Sequence, residues 1–396
     1  MIPALRDRFT RSFSETRYRA MVEDIDRSCE SSLDFRICET PLFIPEALLE
    51  RLQDAAADII RRLQSPQLAA QAEQAVPAAQ RLSGEEAHPP FINLDFALAA
   101  GPEGSIFPRL IELQAFPTTF YYEMMLDEKI RQFFDIPAAV TMYFNRLDRQ
   151  RYGAMLRRLI LGDHDPENVI LLDYRPERQK TRIDFICTEQ ALGIRPIGVR
   201  HLRRRGRKLF YPHHERWIPV SRIYNRLIWD EAGRDPALDL PALFGDAEVE
   251  WVSHPNWFFK ISKYLLPLLS DSPYCPVTHF LHELTAGPED LENYVLKPLY
   301  SFAGKGVEID ITPETLAGIN AREQYILQQK VAYTPLIDSP EGLLKGEIRL
   351  IYFWEAGAAP RLVSNFIRFS RGSKMGGDAN KHQRWAGSTI AYFPVQ

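Results

Sequence analysis

Residues 294–307 have the sequence YVLKPLYSFAGKGV, and this stretch decides how the rest of the chain is interpreted. It begins as an apolar strand that carries Lys297, continues through a loop with Gly304 and Gly306, and becomes apolar again over 307–311. Glycines let backbone N–H groups approach a ligand closely, and a lysine fixed at a strand end adds positive charge. The pattern is typical of a polyphosphate loop. Ordinary glycine turns share it, so the flanking residues decide between the two interpretations.

The composition describes a folded protein with no general affinity for nucleic acid or membranes. The chain has 396 residues, of which 45% are hydrophobic and 25% charged, enough for two or three domains. Its formal net charge of −4 gives no global attraction to nucleic acid or anionic lipid. The four cysteines lack CxxC spacing, which argues against disulfides or zinc. No apolar run approaches the ~20 residues that span a bilayer, so we expect a cytoplasmic protein.

The first part of the chain favours helices. Residues 45–65 repeat apolar side chains at helical spacing after Pro45, which predicts an amphipathic helix. A second helical region is predicted over about 121–161. We therefore expect residues 1–165 to form a largely helical region, to which the sequence assigns no role.

The centre of the chain resembles a parallel crossover unit. Residues 168–173 are predicted to form a buried strand, 177–192 a helix that ends at Gly193, and 195–199 the next strand. We expect a small βαβ domain over 166–250. The remaining residues, 251–396, are expected to form a nucleotide-binding domain.

Two lysines precede the 294–307 stretch, at positions 260 and 263. If Lys263 and Lys297 converge on one polyphosphate, each neutralises part of its charge, and Gly304 and Gly306 let the loop fold over it. The alternative is that Lys260 and Lys263 lie on the solvated face of a helix.

The segment 324–331 is an apolar strand that acquires amide side chains at its end. A strand edge beside an apolar wall can pair with the edge of adenine, and Gln328, Gln329 and Val331 are the candidates. Equally, this could be an ordinary strand that runs to the surface.

A third group of polar residues lies in the C-terminal block. Glu347 and Arg349 are two residues apart on a predicted strand and so point to the same side, and Asp378 and Asn380 repeat that spacing. Mg²⁺ that bridges triphosphate oxygens uses hard oxygen ligands of this kind, and a nearby arginine can hold a transferred phosphoryl group. The alternative is a surface ion pair and a glycine turn.

The order of these motifs along the chain makes residues from about 250 to 390 resemble the ATP-grasp superfamily, and in particular the glutathione synthetase-like ligases. The resemblance rests on Lys263 before a Pro-x-Thr strand, Lys297 in an LKP strand, the hinge at 328–331, an acid-x-Arg strand and a late acid-x-Asn pair. It implies a mixed α/β (α+β) fold with an ATP-grasp domain. The cofactors that it implies are ATP and Mg²⁺.

The resemblance also implies roles for individual residues. Lys263 and Lys297 would bind ATP phosphates. The implied ligands of Mg²⁺ are Glu347, Asp378 and Asn380. Arg349 and Arg368 would stabilise the transferred phosphate. Asp378 stands where the family usually has a glutamate, so its reach to a metal is one methylene shorter.

Substrate recognition is predicted at two places. Arg222, Asn225 and Arg226 lie close together in the sequence, and an arginine fork suits a carboxylate or a phosphate. Glu112 on a predicted strand could recognise an ammonium group, although a buried structural network explains it equally well. The basic run 200–208 is expected to be the tip of a hairpin around Gly206.

These patterns favour an ATP- and Mg²⁺-dependent carboxylate–amine ligase that works through an acyl phosphate. Two alternatives stay open: a phosphotransferase that acts on a small molecule, and an ATP-binding module without turnover. The expected partners are a small carboxylate and a small amine, and an oligomer is possible.

Overall fold

The protein has a mixed α/β fold built from several sheets and helices. The computed structural model describes residues 1–301, 304–372, 375 and 380–395. The predicted metal ligand Asp378 lies outside these residues.

Helices and strands are interleaved along most of the chain. The helices are α1 (Pro3–Ser12), α2 (Glu15–Ser28), α3 (Glu46–Leu63), α4 (Pro66–Ala72), α5 (Phe120–Phe133), α6 (Arg149–Leu161), α7 (Arg182–Leu192), α8 (Trp229–Gly233), α9 (Leu240–Phe244), α10 (Pro255–Lys260) and α11 (Pro313–Ala317). The strands are β1 (Leu42–Phe43), β2 (Phe91–Ala100), β3 (Ile106–Gln114), β4 (Val140–Thr141), β5 (Val169–Asp173), β6 (Arg195–Gly198), β7 (Arg203–Arg205), β8 (Lys208–His213), β9 (Arg216–Val220), β10 (Arg222–Asn225), β11 (Glu250–Val252), β12 (Thr278–Phe280), β13 (Tyr294–Pro298), β14 (Tyr325–Gln329), β15 (Ile337–Ser339), β16 (Gly342–Phe353), β17 (Arg361–Ser370), β18 (Gly387–Thr389) and β19 (Ala391–Pro394).

The central sheet is antiparallel and combines strands from both ends of the sequence. Its strand order is β18-β17-β16-β2-β3, and β15 pairs with the beginning of β16. Strands β2 and β3 come from the N-terminal 165 residues, which we expected to be largely helical. That expectation was incomplete, because β2 is a mostly apolar strand that is buried from Phe91 to Ala99 and pairs along β16. The division of the chain into three domains stays a prediction.

Helix α3 confirms the helix predicted over 45–65 and covers one face of the central sheet. Pro45 precedes its first turn, and its apolar stripe forms one cluster with Leu94, Phe96 and Ile348 of the sheet. Because side chains alternate along a strand, the residues between these point to the opposite face. The sheet therefore presents one face to α3 and the other to the candidate site.

The predicted crossover unit is present, with a later helix start than expected. Strands β5 and β6 are parallel, β5 is buried throughout, and Gly193 ends α7 in the left-handed region. The helix begins at Arg182 and not at residue 177, because Pro176 starts a separate 3₁₀ turn that leads into an extended Gln179.

The helical region predicted over 121–161 consists of two helices with a break between them. Helix α5 ends at Phe133, Pro137 follows, and β4 then pairs with β19. Helix α6 starts where the Asp148 side chain accepts a hydrogen bond from the backbone N–H of Arg151. Pro137 lacks the N–H that a continuous helix requires, which explains the interruption.

The remaining strands form four smaller sheets among the described residues. The basic run forms the predicted hairpin, with β7 and β8 joined at Gly206 (φ 62°). Strands β12, β14 and β13 form a separate antiparallel sheet that carries Lys297.

All four cysteines are free thiols in buried positions. In the part of the chain that the structure describes, no helix combines the length and apolarity needed to cross a membrane.

Candidate functional site

The candidate site is a row of charged side chains on the face of the central sheet opposite α3. The register places Arg349 of β16 opposite Asp95 of β2, and Asp95 opposite Glu112 of β3. On the other side, Glu347 lies opposite Arg368 of β17. Opposed residues on neighbouring strands lie close together, and Glu347 is two residues from Arg349 on the same strand face. Four strands therefore place their charged side chains on two adjacent rungs of one face, which we call the row of charges.

Asp95 and Arg349 form the buried centre of this row. The guanidinium donates two parallel hydrogen bonds of 2.6 Å to the carboxylate, and Asp95 is only 2% exposed. Burial is the largest single effect and raises the pKa of Asp95, but Arg349, Arg368 and Lys263 together lower the pKa by more, so it lies below its ordinary value. Arg349 also donates to Thr118 Oγ1 at 3.0 Å. The predicted catalytic arginine is thus held in a fixed orientation.

Glu347 lies next to this pair and is held by two groups. Arg368 approaches one carboxylate oxygen at 3.0 Å, and the Tyr333 hydroxyl donates to the other at 2.6 Å. Arg368 also reaches Asp95 at 3.2 Å. Burial raises the pKa of Glu347 above its ordinary value even though Arg368 opposes that shift. The structure therefore brings Glu347, Arg349 and Arg368 together, and the metal and phosphate roles that the resemblance implies for them stay predictions.

Lys263 and Glu112 extend the row at the β3 edge. The Lys263 amine contacts Glu112 Oε1 at 2.9 Å and donates to the backbone carbonyl of Ser301 at 2.7 Å. Lys263 is buried, which the alternative of a solvated helix face did not anticipate. Glu112 was predicted to recognise an ammonium group of a substrate, and in this structure the lysine supplies that ammonium.

Lys297 differs from the other cations of the site. Its amine donates to Gln328 Oε1 at 2.6 Å and to the carbonyl of Ile111 at 3.1 Å, and among the described residues it forms no ion pair. Burial lowers the pKa of Lys297 to about 8, and the neighbouring Glu112 only partly offsets this. A desolvated ammonium that meets only neutral oxygens gains strongly from an added anion.

The predicted adenine hinge comprises the last two residues of β14 and the segment that follows it. Gln328 is buried, and its side chain joins Lys297 to Thr278 Oγ1, to which it donates at 3.1 Å. The backbone N–H of Gln329 already donates to Val277, so this group is engaged within the sheet. Val331 follows the strand and is partly exposed. The hinge assignment stays a prediction.

The loop that carries Gly304 and Gly306 starts beside the β3 end of the row, where Ser301 accepts a hydrogen bond from Lys263. Gly304 and Gly306 have φ of 72° and 74°, which favours glycine, and a Cβ on Gly306 would lie 2.9 Å from Pro298. Between the loop and the sheet, a cavity of about 20 Å³ adjoins Lys263 and Ser301. This volume holds about one water molecule, so a triphosphate would have to displace the loop contacts.

The predicted metal ligands offer oxygen donors of the right kind. The Asn380 side chain is buried and accepts a hydrogen bond of 2.8 Å from Ser370, which lies two residues beyond Arg368 and so on the same face of β17. Over residues 1–301, 304–372, 375 and 380–395, no three His, Cys, Asp or Glu side chains form a metal-binding group. Because Mg²⁺ takes few protein ligands and completes its shell with phosphate and water, Glu347 and Asn380 fit it in kind.

The predicted substrate residues on β10 are used in structural contacts. Arg222 donates to the carbonyls of Leu159 and Ile160 at the end of α6. Asn225 donates to the carbonyl of Ser253 at 3.1 Å. Both side chains therefore hold neighbouring elements together.

Arg226 forms a buried ion pair with Asp184 at 2.6 Å and donates to the carbonyl of Thr118. The Thr118 hydroxyl also accepts a hydrogen bond from Arg349, so Thr118 connects Arg226 to the candidate site. The substrate assignments stay predictions.

Sequence reasoning missed Tyr333 and Thr118 and gave Asp95 no role in the nucleotide site. The Glu347 to Arg349 spacing indicated a shared face, but only the strand register reveals which residues lie opposite. Tyr333 follows the hinge without any motif.

Comparison with known proteins supports the fold. No protein-family model matches the chain, and no curated protein sequence matches it. Among solved structures, the chain is similar to a glutathione synthetase like-effector (GSS30) from Globodera pallida, solved in its apo form, with a TM-score of 0.55. The match covers 91% of this chain and 90% of that one at 11% sequence identity. The chain therefore has a fold like that of a glutathione synthetase-like protein over nearly its whole length.

Proposed function

We propose that the protein is an ATP- and Mg²⁺-dependent ligase that joins a carboxylate to an amine. The observation that carries the proposal is Lys297, a desolvated ammonium without an ion-pair partner among the described residues, beside a row of charged groups that includes Lys263, Arg349 and Arg368. The fold likeness to a glutathione synthetase-like protein agrees with a ligase, and the ATP-grasp assignment rests on the sequence resemblance.

In the proposed reaction, a carboxylate oxygen attacks the γ-phosphorus of ATP, which releases ADP and forms an acyl phosphate. The amine then attacks the acyl carbon, and phosphate leaves as the amide forms. Lys297 and Lys263 would neutralise the phosphates, while Asp95 orients Arg349 towards the transferred group. The protein would contribute position and charge rather than a covalent nucleophile.

Magnesium would supply charge neutralisation on the phosphate oxygens. Glu347 and Asn380 would hold it, and Asp378, outside the described residues, is the third predicted ligand. Binding would require the Lys263 amine to exchange its contacts with Glu112 and Ser301 for phosphate oxygens.

The direct test is a screen of small carboxylates and amines for ADP release, followed by mass measurement of the product. The proposal expects release that requires both an acid and an amine, with an amide as product. Release with a single hydroxyl acceptor and no free phosphate would instead indicate a phosphotransferase. Saturable ATP binding without turnover against any pair would indicate a binding module, and the solved neighbour's description as an effector makes this outcome worth measuring.

The metal assignment has its own test. We expect Asn380→Ala to lower Mg²⁺-dependent turnover about tenfold or more while nucleotide affinity changes little, because loss of an outer or direct metal contact costs that much in other sites. Titration of the rate with Mg²⁺ checks this. An unchanged rate would remove Asn380 from the metal site.

A further inference from the structure

A second cavity lies on the other side of the segment that carries Lys263. It has a volume of about 650 Å³, which is within the range of small-molecule sites. Phe258, Ser262 and Lys263 border the candidate site, whereas Trp257, Lys260 and other side chains of the same segment line this cavity. The two cavities share no lining residue, so the second one needs its own explanation.

One wall of the second cavity is apolar. Leu68 and Ala72 of α4 and Leu265 beyond α10 form this wall. At the cavity, the rings of His88 and Trp354 stack at a centroid distance of 4.2 Å and an angle of 8°. Aliphatic and aromatic surfaces of this kind bind the body of an apolar ligand.

The second cavity is lined by more carboxylates than lysine and arginine side chains. Lys260 lies between Glu73 and Glu85, the latter at 2.6 Å, and Arg81 pairs with Glu73 at 2.8 Å. The cations lining the cavity are thus already paired with carboxylates. Glu86 lines the same cavity, and it forms no ion pair among the described residues. One negative group is therefore left over.

Glu86 also has an unused hydrogen-bonding atom. Its Oε2 atom is buried and has no hydrogen-bond partner among the described residues, and the same is true of the indole N–H of Trp257. A buried polar atom without a partner costs free energy, which a ligand that supplies the partner recovers. The backbone N–H groups of Glu86 and His254 donate to the Glu86 carboxyl, but its Oε2 atom still lacks a donor, and the indole N–H lacks an acceptor.

We infer that this second cavity binds a small organic amine, with its ammonium on Glu86 and its apolar body against α4 and the His88–Trp354 pair. A lone carboxylate beside an apolar wall suits an ammonium on a hydrocarbon body. It does not suit a divalent metal, which needs more oxygen ligands than Glu86 offers. The inference does not depend on the proposed ligase activity.

The test uses 2-phenylethylamine as the probe, with 2-phenylethanol and 3-phenylpropanoate as neutral and anionic probes with the same body. Calorimetric titration of the full chain should show saturable binding of the amine. The alcohol should bind about tenfold or more weakly, because it forms no charge-assisted hydrogen bond. Equal binding of amine and alcohol, tighter binding of the carboxylate, or no binding of the amine would overturn the inference.

Two variants locate the site. Glu86→Gln keeps the size of the side chain and should weaken amine binding about tenfold. Glu289→Gln, on an exposed residue elsewhere, is the matched control and should have no effect. Ala69→Trp, from an exposed position of α4 that lines the cavity, should fill it and weaken both the amine and the alcohol. Full amine affinity in both Glu86→Gln and Ala69→Trp would contradict the site.

Discussion

The row of charges on the sheet and the second cavity lie on opposite sides of one short segment, and their unmet charges are opposite. In the second cavity Lys260 is paired with two carboxylates and Glu86 has no ion-pair partner among the described residues. On the sheet Asp95, Glu112 and Glu347 are all paired, and Lys297 meets only neutral oxygens. The difference teaches that the unpaired group, and not the number of charges, indicates which ligand a site accepts: an anion on the sheet and a cation in the cavity.

The largest expected effect is a difference in folding stability between two carboxylate substitutions, at the paired Asp95 of the sheet and at Glu86 of the cavity. Asp95→Asn should destabilise the fold by about 3–5 kcal/mol, because it leaves Arg349 buried without its partner. Glu86→Gln should leave stability unchanged or raise it, because burial raises the pKa of Glu86 to about 7 and ionising it near and above that pH costs stability that the neutral amide does not lose. Denaturant unfolding monitored by circular dichroism measures both. Equal losses in the two variants would remove the distinction.

The two lysines should respond in opposite ways to the same substitution. Lys297→Met should weaken MgATP binding about tenfold to a hundredfold, because charge-assisted hydrogen bonds are worth about 1.5–3 kcal/mol. It should change stability little, since no carboxylate loses its partner. Lys260→Met should leave MgATP binding unchanged and destabilise the fold by about 1–3 kcal/mol, because Glu85 loses its cation. Calorimetry measures the MgATP affinity of both variants, and thermal unfolding measures their stability. Normal MgATP affinity in Lys297→Met would contradict the nucleotide site.

The smallest expected effect is a pH dependence. Lys297 is charged below its pKa of about 8, so affinity for MgATP should be level at pH 7 and fall as the pH rises through 8. Glu112 and Glu347 oppose this shift and Lys263 strengthens it, but burial dominates. Titrations at pH 7 to 9 measure the slope, and Lys297→Met should lack it.

The second cavity should have the reverse dependence. Glu86 is protonated below its pKa of about 7, so affinity for 2-phenylethylamine should fall as the pH decreases through 7. Arg222 opposes the shift and Glu85 adds to it, while burial is the largest cause. The same direction of pH dependence at both sites would break the comparison between them.

Much of the local structure could be predicted from the sequence. Helix α3 and the parallel pair β5 and β6 followed from apolar periodicity, because burial of a stripe or of a whole strand leaves a clear pattern. The shared face of Glu347 and Arg349 followed from alternation along a strand. These features depend on residues close together in the sequence.

The rest depends on pairing between distant segments. The two strands β2 and β3 lie more than two hundred residues before β16, and no local pattern states that Asp95 meets Arg349. The use of Arg222 and Asn225 in structural contacts has the same cause, since their partners lie on α6 and beside β11. Sequence spacing identifies which groups share a strand face, whereas register decides which of them neutralise one another.

The most direct test of the nucleotide site is a crystal structure with Mg²⁺ and a non-hydrolysable ATP analogue. The account predicts phosphate oxygens within hydrogen-bond distance of the Lys297 amine, with Lys263 moved away from Ser301 to meet them. A bound analogue whose phosphates lie away from the sheet face, with Lys297 still joined to Gln328 and Ile111, would contradict it.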